Sequence, residues 1–110
     1  MAKNVSTAEL TRLIELVDAK LAEAAIAAGD RPSKVAGWSD WHRRHNSALE
    51  GVKNSLATDE GARFNGINSD NCRVRIAGIT STSTGGIAGA LRNWIAAAIR
   101  KRMAIGRAAS

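Results

Sequence analysis

The segment from Cys72 to Arg102 constrains the fold most strongly, because within it the residue pattern changes once from alternating to helical. Apolar residues at 72, 74 and 76 alternate with arginines at 73 and 75, which is typical of a strand with one buried face. The Ser and Thr residues at 81–84 are suited to capping a helix start. Apolar residues then recur at helical spacing from Ile87 to Ile99, and the cations at 100–102 suit the negative end of the helix dipole.

Two further helices are predicted earlier in the chain. Ser6 to Glu9 has the S-x-x-E pattern of a capping box, and Gly29 stands where a helix would end. The apolar stripe between them predicts an amphipathic helix over about 7–28. A second stripe, running from Trp38 to Leu56, predicts another helix over about 39–57.

A short β-hairpin is predicted between these helices and the terminal one. Residues 63–67 alternate in polarity and 68–71 have the composition of a turn, so we expect an antiparallel hairpin over about 63–77. Asn65-Gly66 also has the composition of a tight turn, which would shift the register. With a helix over about 85–103 and a flexible basic tail at 104–110, the prediction is one mainly helical α+β domain spanning 1–110.

The net charge of +6 is concentrated in the second half of the chain. Residues 1–60 carry eight Lys and Arg against nine Asp and Glu, whereas residues 61–110 carry eight against Asp70 alone. Such an asymmetry is typical of a solvated basic face, of a surface for an acidic protein, or of one that contacts nucleic-acid phosphates. We expect the strand and the terminal helix together to form this surface. The candidate partner- or nucleic-acid-binding residues are Arg73, Arg75, Arg92, Arg100, Lys101, Arg102 and Arg107.

The densest aromatic and basic cluster is the segment 38–45, and three interpretations of it stay open. His42 and His45 are spaced to share a metal ion, but the chain offers no second pair of ligands. The two tryptophans could stack nucleic-acid bases, with Arg43 and Arg44 gripping phosphates. They could also simply pack the second helix on the first. The candidate packing or interface residues are Leu13, Val17, Trp38, Trp41, Leu91 and Trp94.

No catalytic constellation is present in the sequence. Cys72 lies on the apolar side of a predicted strand and suits a core residue better than a nucleophile. The Ser/Thr/Gly segment before the terminal helix is similar to a phosphate-binding loop, but it lacks the G-K-[ST] of a nucleotide site. We therefore expect a protein that is not an enzyme and has no cofactor or metal. The absence of a long apolar run and of a signal-peptide pattern predicts no membrane association.

The order of these elements resembles the small head-to-tail joining proteins of tailed phages, the lambda W family. The resemblance covers about residues 72–102 and rests on Arg73 to Ala77, Thr80 to Ser83 and Ala90 to Ile95. In that family a basic strand runs into a Thr/Ser turn and an amphipathic C-terminal helix. The segment 38–56 has no counterpart there.

The resemblance implies a structural role rather than a chemical one. Copies would form an oligomeric ring between portal and tail, with portal and tail or connector proteins as partners and packaged DNA nearby. The protein would then be found in the virion, or in the host cytoplasm during assembly. The alternatives are a small basic nucleic-acid-binding protein that uses the C-terminal Arg/Lys face, and a regulator whose first helix docks a partner through Leu13 and Val17.

Overall fold

The computed structural model describes residues 6–30, 32–66, 71–84 and 86–109. Within these residues the chain forms helix α1 (Thr7–Ala28), a 3-10 turn (Val35–Gly37), helix α2 (Trp38–Glu60), strands β1 (Arg63–Asn65), β2 (Cys72–Ile76) and β3 (Ile79–Ser83), and helix α3 (Gly86–Ala109). The strands form one antiparallel sheet in the order β1-β2-β3. The predicted fold class, mainly helical α+β, is confirmed.

Both N-terminal helices form where the apolar periodicity predicts them. α1 begins as expected, because the Ser6 hydroxyl accepts a hydrogen bond from the Glu9 amide at 3.1 Å. α2 is longer than the predicted 39–57, since it starts at Trp38 and ends at Glu60. The left-handed Gly61 then terminates it, with φ of 67°.

The pairing of the first two strands confirms the predicted hairpin. Arg63 lies opposite Arg75, and Asn65 lies opposite Arg73. Because Asn65 is paired inside the strand, the alternative of a tight turn at Asn65-Gly66 is wrong. Residues 67–70, which include the predicted end of the first strand and most of its turn, lie outside the described residues.

The third strand was not predicted from the sequence. The segment 81–84 was expected to cap the terminal helix, but Ser81, Thr82 and Ser83 belong to β3 and pair with β2. Ser and Thr side chains serve a helix cap and an extended strand equally well, so their presence alone does not separate the two. Since the backbone of 79–83 is engaged in the sheet, this segment is not a phosphate-binding loop.

A two-residue turn connects β2 to β3. Ile76 pairs with Ile79, so Ala77 and Gly78 alone reverse the chain, and both have positive φ, 53° and 78°. Positive φ at both central positions is typical of the type I′ turn, whose twist matches that of a hairpin. The left-handed region is unfavourable for Ala, so the flanking strand pairs must hold this residue in place.

The long α3 covers one face of the sheet and supplies the centre of the core. Leu91 and Trp94 are fully buried there, in contact with the inward side chains of β2 at 72, 74 and 76. The Trp94 indole Nε1 donates a hydrogen bond to the Ile76 carbonyl at 3.2 Å. α3 also continues to Ala109, so the predicted helix end at 103 is wrong, and the predicted tail begins as helix.

The three helices pack with α1 between α2 and α3, and α1 runs antiparallel to both. Arg12 of α1 bonds Glu60 at the end of α2, while Arg44 near the start of α2 bonds the Ala28 carbonyl at the end of α1. At the far end of α3, Arg102 reaches Thr11. The sheet contacts α3 through β2 and β3, and it contacts α2 through β1.

We expect Gly89→Ala to destabilise the protein, because α3 approaches β3 most closely at this glycine. A Cβ at Gly89 would lie 2.3 Å from Ser83 Oγ and 3.2 Å from Ser83 Cβ. Overpacking costs about 1–3 kcal/mol, and the better helix propensity of Ala returns about 1 kcal/mol of this. The free energy of unfolding in urea should therefore fall by up to about 2 kcal/mol.

Gly51→Ala is the matched control, since a Cβ at this helical glycine would meet nothing within 4 Å. It should stabilise the protein by about 0.5–1 kcal/mol. If Gly89→Ala were as stable as Gly51→Ala, the close packing of α3 on β3 would be wrong.

Candidate nucleic-acid interface

The outer face of the sheet is a cationic surface that carries three exposed arginines. β2 alternates between buried and exposed residues, so that its apolar side chains face α3 and its arginines face solvent. The neighbouring strands continue the same alternation. We call this surface the outer sheet face, and its exposed members are Arg63, Asn65, Arg73, Arg75, Thr80 and Thr82.

The register places the three arginines of the outer sheet face next to one another. Arg63 is directly opposite Arg75, and Cβ atoms of opposed residues lie about 4.5–5.5 Å apart. Arg73 is two residues along β2 from Arg75, a rise of about 6.6 Å. Like charges at these separations repel, which destabilises the sheet unless an anion lies between them.

No carboxylate among the described residues lies within ion-pair distance of these arginines. The acidic side chains that do form ion pairs belong to the helices: Glu9 and Glu60 pair with Arg12, and Asp40 pairs with Arg43 and Arg44. Among the described residues, the positive charge of the outer sheet face is therefore not neutralised by an ion pair.

The cations of α3 do not join this surface, contrary to the expectation of one surface made by strand and helix. α3 packs against the inner face of the sheet, whereas the arginines of β2 face the opposite side. Arg100 and Lys101 are exposed on the helix, while Arg102 is half-buried and donates to Thr11 Oγ1 at 3.1 Å. Arg107 lies in the last turn of α3.

Arg92 lies at a separate cleft between the end of α1, the start of α2 and the start of α3. The cleft has a volume of about 430 Å³, and Trp41 and His45 line it together with Arg92. The structure therefore divides the seven predicted binding cations among three places, and only Arg73 and Arg75 lie on the outer sheet face.

The aromatic cluster at 38–45 joins α1 to α2. The indole Nε1 of Trp38 donates to the Pro32 carbonyl at 2.9 Å, and that of Trp41 donates to the Gly29 carbonyl at 3.0 Å. Trp41 also stacks on His45 with ring centroids 4.9 Å apart. These contacts support the packing interpretation and leave one face of the Trp41 ring already covered.

The metal interpretation of this cluster gains no support from the structure. Within the described residues, no group of three or more His, Cys, Asp or Glu side chains is placed to hold a metal ion. His42 contacts Trp41 edge-on instead, with ring centroids 5.0 Å apart.

The remaining predicted packing residues lie in the core of the single chain. Leu13 is 2% exposed, and Val17, Leu91 and Trp94 are fully buried. They pack inside the single chain, so in this structure Leu13 and Val17 are not exposed to a partner. Cys72 is also fully buried, and desolvation raises the pKa of its thiol, which disfavours the reactive thiolate.

Four residues of the outer sheet face were missed by sequence reasoning. Arg63 and Asn65 lay within the predicted hairpin. Since directly paired residues point to the same face of a sheet, the pairing would have placed both with the arginines of β2. Thr80 and Thr82 were missed because β3 itself was not predicted.

Comparisons with known proteins add no relative: no protein-family model, curated protein or solved structure matches the chain. None of the described helices is long and apolar enough to span a membrane.

The Arg12 network predicts part of the pH dependence of stability. The Arg12 guanidinium lowers the pKa of Glu9 below its ordinary 4.5. A carboxyl whose folded pKa is depressed stabilises the fold at neutral pH, and this contribution is lost as the pH falls through the folded pKa. Glu9→Gln should therefore be less stable than the native protein at about pH 7, with the difference shrinking towards about pH 3.

Urea unfolding at several pH values measures this difference. Glu15→Gln is the control, because Glu15 is exposed on the same helix and forms no ion pair in the described part of the chain. A Glu9→Gln effect that did not change with pH would contradict the proposed role of the Arg12 pair.

Proposed function

We propose that the protein is a non-enzymatic structural assembly protein, a head-to-tail connector or adaptor of a tailed phage or phage-like particle. The observation that carries this proposal is the unit built by β2, β3 and α3, in which a basic strand leads through a Thr/Ser-rich strand into an amphipathic helix. This is the part of the chain that resembles the lambda W family. α1 packs antiparallel against α3 of this unit.

The charge distribution supports the same proposal. A connector of this kind stands beside packaged DNA and the portal, and the outer sheet face offers positive charge with no acidic neighbour in the described chain. The partners would be portal and tail or connector proteins, in the virion or in the host cytoplasm during assembly.

A ring needs subunit contacts, and the core residues cannot provide them. The large apolar side chains exposed among the described residues are Ile26 (80%), Val35 (73%) and Met103 (52%). Ile26 lies in the last turns of α1 and Val35 begins the 3-10 turn before α2, so both stand at the same end of the helix pair. We propose this end as the subunit contact.

Mass measurement in solution and negative-stain microscopy test the ring directly. We expect an oligomer with ring-shaped particles, and Ile26→Asp with Val35→Asp should shift it to the monomer without loss of helical signal, because both side chains are exposed. The matched control is Ala8→Asp, an exposed position in the first turn of α1, at the opposite end of that helix. A protein that is monomeric at every concentration and never joins portal or tail proteins would contradict the proposal.

A small nucleic-acid-binding protein that acts without assembling is the second candidate function. The arginines of the outer sheet face favour it, and the cations at the end of α3 do not belong to the same surface. This alternative predicts a monomer that binds nucleic acid, whereas the connector proposal requires an oligomer.

A further inference from the structure

We propose that the outer sheet face binds duplex DNA, with the β2–β3 ribbon in the major groove and Arg63 of β1 on the flanking phosphates. This inference goes beyond the connector role, since it holds for a ring and for a monomer alike.

The chemistry of the outer sheet face fits nucleic acid better than an acidic protein. All of its exposed side chains are Arg, Asn or Thr, which donate hydrogen bonds, and none is acidic or large and apolar. Protein interfaces gain most of their affinity from buried aromatic and apolar anchors, which this face lacks. Phosphate contacts come from the side-chain types present here.

The same side chains are suited to reading base edges. Arg forms bidentate bonds to guanine, Asn forms them to adenine, and the Thr methyl group contacts the methyl group of thymine. Arg73 and Arg75 stand opposite Thr82 and Thr80 across the ribbon, and Asn65 stands beside Arg73 on the other side. The face thus combines phosphate-binding and base-contacting groups.

The spacing of the arginines matches a phosphate backbone. Arg63 and Arg75 are direct neighbours across the strands, Arg73 and Arg75 are about 6.6 Å apart along β2, and the diagonal pair Arg63 and Arg73 is about 7–8 Å apart. A DNA strand presents one phosphate per about 3.4 Å of helix axis, so a few neighbouring phosphates fall within reach of all three guanidinium groups.

The width of the ribbon selects the kind of duplex. The major groove of B-form DNA is about 12 Å wide and admits a two-stranded ribbon, whereas that of duplex RNA is too deep and narrow for side chains to read. β2 and β3 form such a ribbon through paired residues 72–76 and 79–83, and β1 is only three residues long and flanks it. We therefore expect duplex DNA to bind more tightly than duplex RNA of the same sequence.

The test uses the full chain and a fluorescent mixed-sequence duplex of about 20 base pairs, with anisotropy followed from about 50 to 200 mM salt. Binding should weaken steeply with salt. Replacing Arg63, Arg73 and Arg75 together by Ala should make log K fall less steeply with log salt. The slope should flatten by about 0.9 if Arg63 alone contacts a phosphate, and by about 2.7 if all three arginines do.

The matched control removes the same charge from α3 by replacing Arg100, Lys101 and Arg107 with Ala, and it should keep the native slope. Circular dichroism should show both variants folded, because all six replaced side chains are exposed. An equal loss in the two variants would overturn the proposal.

Duplex RNA and polyglutamate are the competing ligands in the same assay. Displacement of the DNA by either one as effectively as by unlabelled duplex DNA would overturn the proposal, as would no binding at about 50 mM salt. A monomer that binds the duplex would support this inference and contradict the connector proposal. A ring that fails to bind the duplex would support the connector proposal and overturn this inference.

Discussion

The packing of Trp94 between α3 and the sheet is the contact on which the other features depend. Its ring is fully buried, and its indole N–H satisfies the Ile76 carbonyl at the end of β2. An indole N–H buried without that acceptor would lose the hydrogen bond that water supplies in the unfolded chain. The contact therefore fixes the position of α3 along β2 as well as the distance between α3 and β2. Gly89 allows the first turns of the helix to approach β3 closely.

This packing determines which surface is left for function. Because α3 occupies the inner face of the sheet, the side chains that alternate to the other face meet solvent. Alternation along β2 then directs Arg73 and Arg75 outward, and antiparallel pairing brings Arg63 beside them. The positive surface is thus a consequence of the core.

Most of the fold was predictable because the signals are local and strong. A capping serine at Ser6 and helical apolar stripes specify α1 and α2, and period-two alternation specifies β2. β3 was not predictable in the same way, since Ile79 to Ser83 carries Ser and Thr that also suit a helix cap. The turn before β3 could not be predicted from composition either, because Ala77 is not a residue that usually adopts positive φ.

Two of the six residues of the outer sheet face could be predicted from the local pattern. Arg73 and Arg75 follow from alternation alone, but their neighbours depend on strand pairing, which is a long-range property. The sequence analysis grouped the cations at the end of α3 with these arginines because both lie in the positively charged second half of the chain. Packing separates them, since the helix lies against the sheet with its apolar side and carries Arg100 and Lys101 away from the strands.

The most direct measurement of the central claim is the response of individual arginine side chains to duplex DNA. In an NMR titration of the nitrogen-15-labelled chain, the Nε–Hε signals of Arg63, Arg73 and Arg75 should shift or broaden at the lowest DNA concentrations. Those of Arg12 and Arg44, which are held by carboxylates on the helices, should stay in place. Shifts confined to the arginines of α3, with the sheet signals unchanged, would contradict the account.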